Sequence, residues 1–80
     1  MAEKQKRVEA LAKRLKSVRA RAGLTQDQLA DASGVGVATI RRIEGSVSET
    51  KIDTLARLAE TLKVDMKWLA FGGHREEMEQ

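Results

Sequence analysis

The stretch TQDQLADASGVGVATIRRIE, Thr25 to Glu44, decides how the rest of the chain is read. Thr25 can offer its hydroxyl to a free backbone N–H, and Gln28, three residues on, can reach back to close a capping box. A first short helix therefore starts here, with Leu29 and Ala30 as its small apolar face. Ser33-Gly34 ends it, because glycine tolerates the left-handed backbone that a sharp turn needs. Val35 is an apolar plug in the turn, and Gly36 can cap a second helix from Val37 to about Glu44. That helix turns Ile40 and Ile43 inward and closes at Gly45. Two helices joined so tightly cross steeply, which leaves the outer face of the second free for a groove in a partner.

These residues resemble the helix-turn-helix of phage-repressor-type DNA-binding domains, the lambda-repressor-like, Cro-type or XRE-like family. The matching elements are Gln26, the Leu29-Ala30 pair, Gly34-Val35, Ile40 and Ile43-Glu44, and the likeness runs from about Leu11 to Gly72. The resemblance implies an all-α, compact five-helix bundle with the helix-turn-helix at its second and third helices. It also implies a sequence-specific regulator of transcription on double-stranded DNA, most simply a repressor on a pseudo-palindromic operator.

Eighty residues make one domain with a limited core. With no Cys, neither disulfides nor a cysteine-based metal site can support it, and no Pro interrupts its helices. The N-terminus is charged and has no apolar signal core, and no apolar run approaches a membrane span. A cytoplasmic protein, bacterial or phage-encoded, is expected. The net charge of +3 hides an asymmetry: residues 1–25 carry eight Lys/Arg against two Glu, and residues 26–80 seven basic against ten acidic groups. A basic segment suits a polyanion, although it equally suits a solvated helix face. The two aromatic residues, Trp68 and Phe71, are too few for a single-strand stacking platform.

Outside the central stretch, residues 1–6 are polar and expected to fray. From Arg7 to Ala22, apolar residues at Val8, Leu11, Leu15, Val18 and Ala22 mark one amphipathic helix, ended by Gly23. A loop over Gly45–Thr50 leads to a fourth helix, about Lys51–Lys63, with Thr50 and Asp53 as cap candidates. Its apolar face is Ile52, Leu55, Leu58, Ala59 and Leu62. Asp65 can cap a fifth, Met66–Phe71. The domain is thus placed at 1–73, followed by an acidic flexible tail at 74–80.

Enzyme chemistry has little to build on. The one His is His74, in the tail, and Asp27 and Asp31 sit one turn apart without a cleft. The glycines at 34, 36 and 45 lack phosphate-loop spacing. Neither an enzyme, a metal nor a cofactor is expected.

Carried onto this chain, the family's base-reading positions fall on Gly36, Val37, Ala38 and Arg42, with Arg41 as a second candidate. Many relatives have polar readers at the first three; here they can offer only apolar contact and close approach. Arg42 then carries specificity, since arginine pairs bidentately with guanine. Gln26 is matched to a position that touches phosphate through its backbone and an outer base through its side chain. Arg19, Thr25, Ser46 and Lys51 complete the expected phosphate contacts. The resemblance also pairs Arg19 with Glu44 beneath the third helix. It places a homodimer interface at the chain's far end, on Val64, Met66, Trp68, Leu69 and Phe71. Two further readings fit the same residues: an antitoxin, with a small toxin as protein partner, or a restriction-modification controller. A third is a domain of this shape that no longer reads DNA.

Overall fold

The computed structural model describes residues 2–47 and 49–73. Five helices follow in order: α1 (Ala2–Arg21), α2 (Gln26–Ser33), α3 (Val37–Glu44), α4 (Ile52–Leu62) and α5 (Met66–Phe71). The expected all-α bundle is therefore observed, while the tail at 74–80, with His74, lies outside the described residues. Helix α1 lies against α3 and α5, α2 against α3 and α4, and α4 against α5. One core joins them: Leu11, Leu15 and Val18 from α1, Leu29, Val35, Ile40 and Ile43 from the central unit, and Leu55, Leu58, Ala59, Val64 and Leu69. Fully burying a Leu or Ile side chain is worth about 1.5–3 kcal/mol. The six closed off completely, Leu15, Leu29, Ile40, Ile43, Leu58 and Leu69, come from all five helices.

The start of α1 corrects the sequence reading. The helix does not wait for the amphipathic stripe but runs from Ala2, through residues expected to fray. Ala, Glu, Lys and Gln are good helix formers, and Glu3 in the first turn complements the helix dipole. A Gln5–Glu9 hydrogen bond of 3.1 Å and an Arg7–Glu49 ion pair of 3.2 Å reinforce this end. At the other end, Ala22 is exposed beyond the helix, while Ala12 joins the buried side.

Helix α4 also departs from expectation. Its N-cap is Lys51, which makes no side-chain cap, so Thr50 does not cap it. Ile52 is 53% exposed. It stands in the first turn at the edge of a recess of about 140 Å³ that Val8, Leu11, Leu55 and Phe71 also line. The helix ends on Lys63 in the left-handed region (φ 59°), and Val64 N–H then bonds Ala59 C=O at 3.0 Å. This turn drops Val64 into the core. Asp65 caps α5 as expected, accepting from Trp68 N–H at 3.0 Å.

Candidate nucleic-acid interface

The central unit is built by local chemistry. Thr25 Oγ1 accepts from Gln28 N–H at 3.0 Å, and Gln28 Oε1 accepts from Thr25 N–H at 2.9 Å, closing the capping box. The Thr25 hydroxyl keeps its own hydrogen to donate elsewhere. Gly34 ends α2 with φ 75°, and its N–H bonds Ala30 C=O at 2.9 Å. Ser33 Oγ accepts from Val35 N–H at 3.2 Å and seats Val35 in the core. Gly36, the N-cap of α3, is different. Its φ of −61° suits any residue, and a Cβ there would meet nothing within 4 Å. Folding does not require glycine at Gly36.

On α3, Ile40, Ile43 and Glu44 face the interior. Ala38, Arg41 and Arg42 are exposed, and Val37 and Thr39 are half-buried. Arg41 reaches back across the turn, its Nη2 lying 3.9 Å from Asp27 Oδ1 on α2. Both side chains are more than half exposed, so this pair is worth about 0–1 kcal/mol and yields easily to a stronger anion. Arg42 points the other way, into a recess of about 390 Å³ shared with Thr39, Thr50, Lys51 and Thr54. Beyond it, Ser46 is half-buried and Lys51 is exposed beside the start of α4. Ser48 lies outside the described residues.

Beneath α3 sits one buried carboxylate. Arg19 donates from Nε to Glu44 Oε2 at 2.7 Å and from Nη2 to Glu44 Oε1 at 2.9 Å. Its Nη1 donates to Leu24 C=O at 2.8 Å. The Glu44 side chain is 3% exposed and that of Arg19 17%. This hydrogen bond to Glu44 holds the guanidinium pKa of Arg19 above its ordinary value. All three of its nitrogens are thereby engaged, so Arg19 braces α1, the α1–α2 turn and α3. The structure gives it this interior role, and these bonds use three of its five N–H donors. Gln26, expected to touch phosphate through its backbone and an outer base through its side chain, donates from Nε2 to Glu44 Oε1 at 3.0 Å. Helical periodicity assigns faces and not partners, which is why the sequence did not show this bond.

The far end divides the expected dimer residues. Leu69 is 0% and Val64 5% exposed, so both are core and unavailable to a second chain. Met66 and Trp68 are half-buried against the core, and Phe71 is 72% exposed. The split follows from geometry: neighbouring residues on a helix diverge by about 100°, and only one can point straight inward.

The helix-turn-helix model of the HTH_3 family matches residues 15–69, most of the described bundle. Among solved structures, the crystal structure of an HTH_3 family transcriptional regulator from Vibrio cholerae is similar, with a TM-score of 0.77 and 29% identity over 82% of this chain. The match covers 37% of that regulator, so the chain spans little more than a third of its length. With its capped α2, glycine turn and braced α3, the chain belongs to the HTH_3 helix-turn-helix family, of the lambda-repressor-like type.

Proposed function

We propose that this domain binds double-stranded DNA in a sequence-specific way and serves a transcriptional regulator, most simply a repressor that occupies an operator overlapping a promoter. The observation that carries this reading is the outer arc of α3. Ala38, Arg41 and Arg42 stand exposed, with Val37 half-buried beside them, on a helix fixed from below by Ile40, Ile43 and Glu44. An α-helix of this kind fits the major groove. Val37 and Ala38 would touch thymine methyl groups, with Gly36 letting the helix approach. Arg42 would read guanine, with Arg41 released from Asp27 to a base or a phosphate. The N–H groups at the start of α2 favour an anion, and Thr25 O–H, Ser46 and Lys51 add donors on either side. The role is non-enzymatic, uses no cofactor and belongs in the cytoplasm; no helix among the described residues is long and apolar enough to cross a membrane.

One recognition helix reads too few base pairs to single out a genomic site. A homodimer on DNA, joined through Met66, Trp68 and Phe71, would double the readout. Its half-sites would lie about 10–10.5 base pairs apart. Selection of bound duplexes from a random pool tests this reading. The expected result is an enriched pseudo-palindrome whose affinity falls steeply with salt. No enrichment, or a salt-independent affinity, would overturn it.

A further inference from the structure

A carboxylate can only accept hydrogen bonds, and this removes an ambiguity at Gln26. The two ends of a glutamine amide have nearly the same shape, so a free one can turn either way. Here the end facing Glu44 Oε1, at 3.0 Å, must be the NH2. The carbonyl end therefore faces away from Glu44. Among the described residues no buried side-chain nitrogen or oxygen lacks a partner. Gln26 Oε1 accepts no hydrogen bond among those residues, so it is open to solvent. We assign the hydrogen anti to Oε1 to the bond with Glu44, which leaves the other beside Oε1. Gln26 thus offers a fixed edge of one acceptor and one donor.

That edge complements adenine, which offers the N6 amino group and N7 side by side in the major groove. Guanine offers two acceptors there, O6 and N7, and O6 would oppose the Gln26 carbonyl. The anchor is also hard to give up. The Glu44 side chain is 3% exposed, and apart from Arg19 its hydrogen-bond donor is Gln26. Turning Gln26 away would take one of two donors from Glu44 Oε1 and leave it Arg19 Nη2 alone, which weakens the bonding of a buried carboxylate.

We propose that Glu44 is a positioning residue for base readout: it fixes the amide of Gln26 so that Gln26 selects adenine over guanine at one outer position of each half-site. This rests on the DNA-binding reading above and deepens it. It also gives the buried Arg19–Glu44–Gln26 cluster a role in specificity beyond bracing the helices.

The test uses the full chain and the duplex it enriches from a random pool. Replacing each adenine in turn by 7-deazaadenine, which lacks N7, should weaken binding about tenfold at one position per half-site. Gln26→Met, which keeps the length but lacks the amide, should be indifferent to that replacement and to guanine there. Glu44→Gln, whose own amide can donate or accept, should relax the same position to adenine or guanine and leave the Arg42-dependent positions alone. NMR on the unaltered protein covers the case in which Glu44→Gln does not fold: one side-chain amide proton of Gln26 should exchange slowly, free and on DNA. A Gln26→Met variant with its adenine preference intact, or two rapidly exchanging Gln26 amide protons, would overturn the proposal while leaving DNA binding standing. Failure to enrich any duplex would overturn both.

Discussion

Arg14, in the middle of α1, donates from Nε to the carbonyl oxygen of Leu69 at 2.8 Å, and from Nη2 to that of Ala70 at 3.0 Å. Those carbonyls belong to the last turn of α5, where intrahelical donors run out. A six-residue helix has little stability of its own, and here its free end is capped by a charge from a different helix. Burial lowers the pKa of Arg14 from its ordinary value, yet it stays charged at neutral pH. Arg14→Met should cost about 1.5–3 kcal/mol in urea unfolding, the usual worth of hydrogen bonds to a charged group. A companion test is Gly72→Ala. Gly72 has φ 81°, and an added Cβ would lie 3.2 Å from Arg14 Nη1, so this change should destabilise as well.

Arg19 and Glu44 offer a sharper energetic test because the carboxylate is buried. Arg19→Met leaves Glu44 with only Gln26 as donor and should cost about 3–5 kcal/mol. The same logic holds for Glu44→Gln, though its amide recovers part of the bonding. The double variant should cost clearly less than the sum, with coupling above about 0.5 kcal/mol. Additive losses in a double-mutant cycle would mean that the two residues act independently.

The contrast between these two arginines shows what a sequence can reveal. The α2–α3 unit was legible because its determinants are local: Thr25 and Gln28 three apart, Gly34 at the turn, Ile40 and Ile43 at helical spacing. The Arg19–Glu44 pair was legible only through resemblance. Nothing in the pattern of α1 distinguished Arg14 from Lys13 or Lys16, since its partners are backbone groups 55 and 56 residues away. Periodicity likewise put Ile52 on the face of Leu55, although Ile52 stands at the edge of the recess beside α1 and α5 and is 53% exposed, while Leu55 is buried. Three large apolar residues within four positions of α5, Trp68, Leu69 and Phe71, could not be sorted into core and surface until α1 and α4 were in place.

Base readout should separate the two exposed arginines of α3. Under the proposed function, Arg42→Ala should cost about 1–3 kcal/mol of binding and relax one base position in each half-site. Uniformly weaker binding with unchanged preference would reassign Arg42 to phosphate. Asp27→Asn removes the partner of Arg41 and a negative charge from the same face. It should raise affinity modestly, within the small range of an exposed pair, and the gain should fade at high salt. Lower affinity for Asp27→Asn in a folded protein would show that Asp27 helps to bind DNA.

The last prediction concerns the second chain. Phe71 is 72% exposed at the end of α5, whereas Leu69 is fully enclosed and Trp68 packs partly against the core. Their substitutions should therefore act on different quantities. Leu69→Ala should cost about 2–5 kcal/mol of folding stability by opening a cavity. Phe71→Asp removes no buried group, so its unfolding midpoint should stay near that of the unaltered protein. An aspartate in a two-fold interface would face its own copy or an apolar surface, both unfavourable. On the selected duplex, sedimentation should give two chains per site for the unaltered protein, bound cooperatively. With Phe71→Asp, the first chain should still bind its half-site, and the cooperative gain of the second should vanish. Trp68→Ala should lose both some stability and some cooperativity, which is why Phe71 is the cleaner probe. If Phe71→Asp binds with undiminished cooperativity, the dimer is not built on this end of α5. Tight one-to-one binding of the unaltered protein to an asymmetric site would remove the dimer altogether.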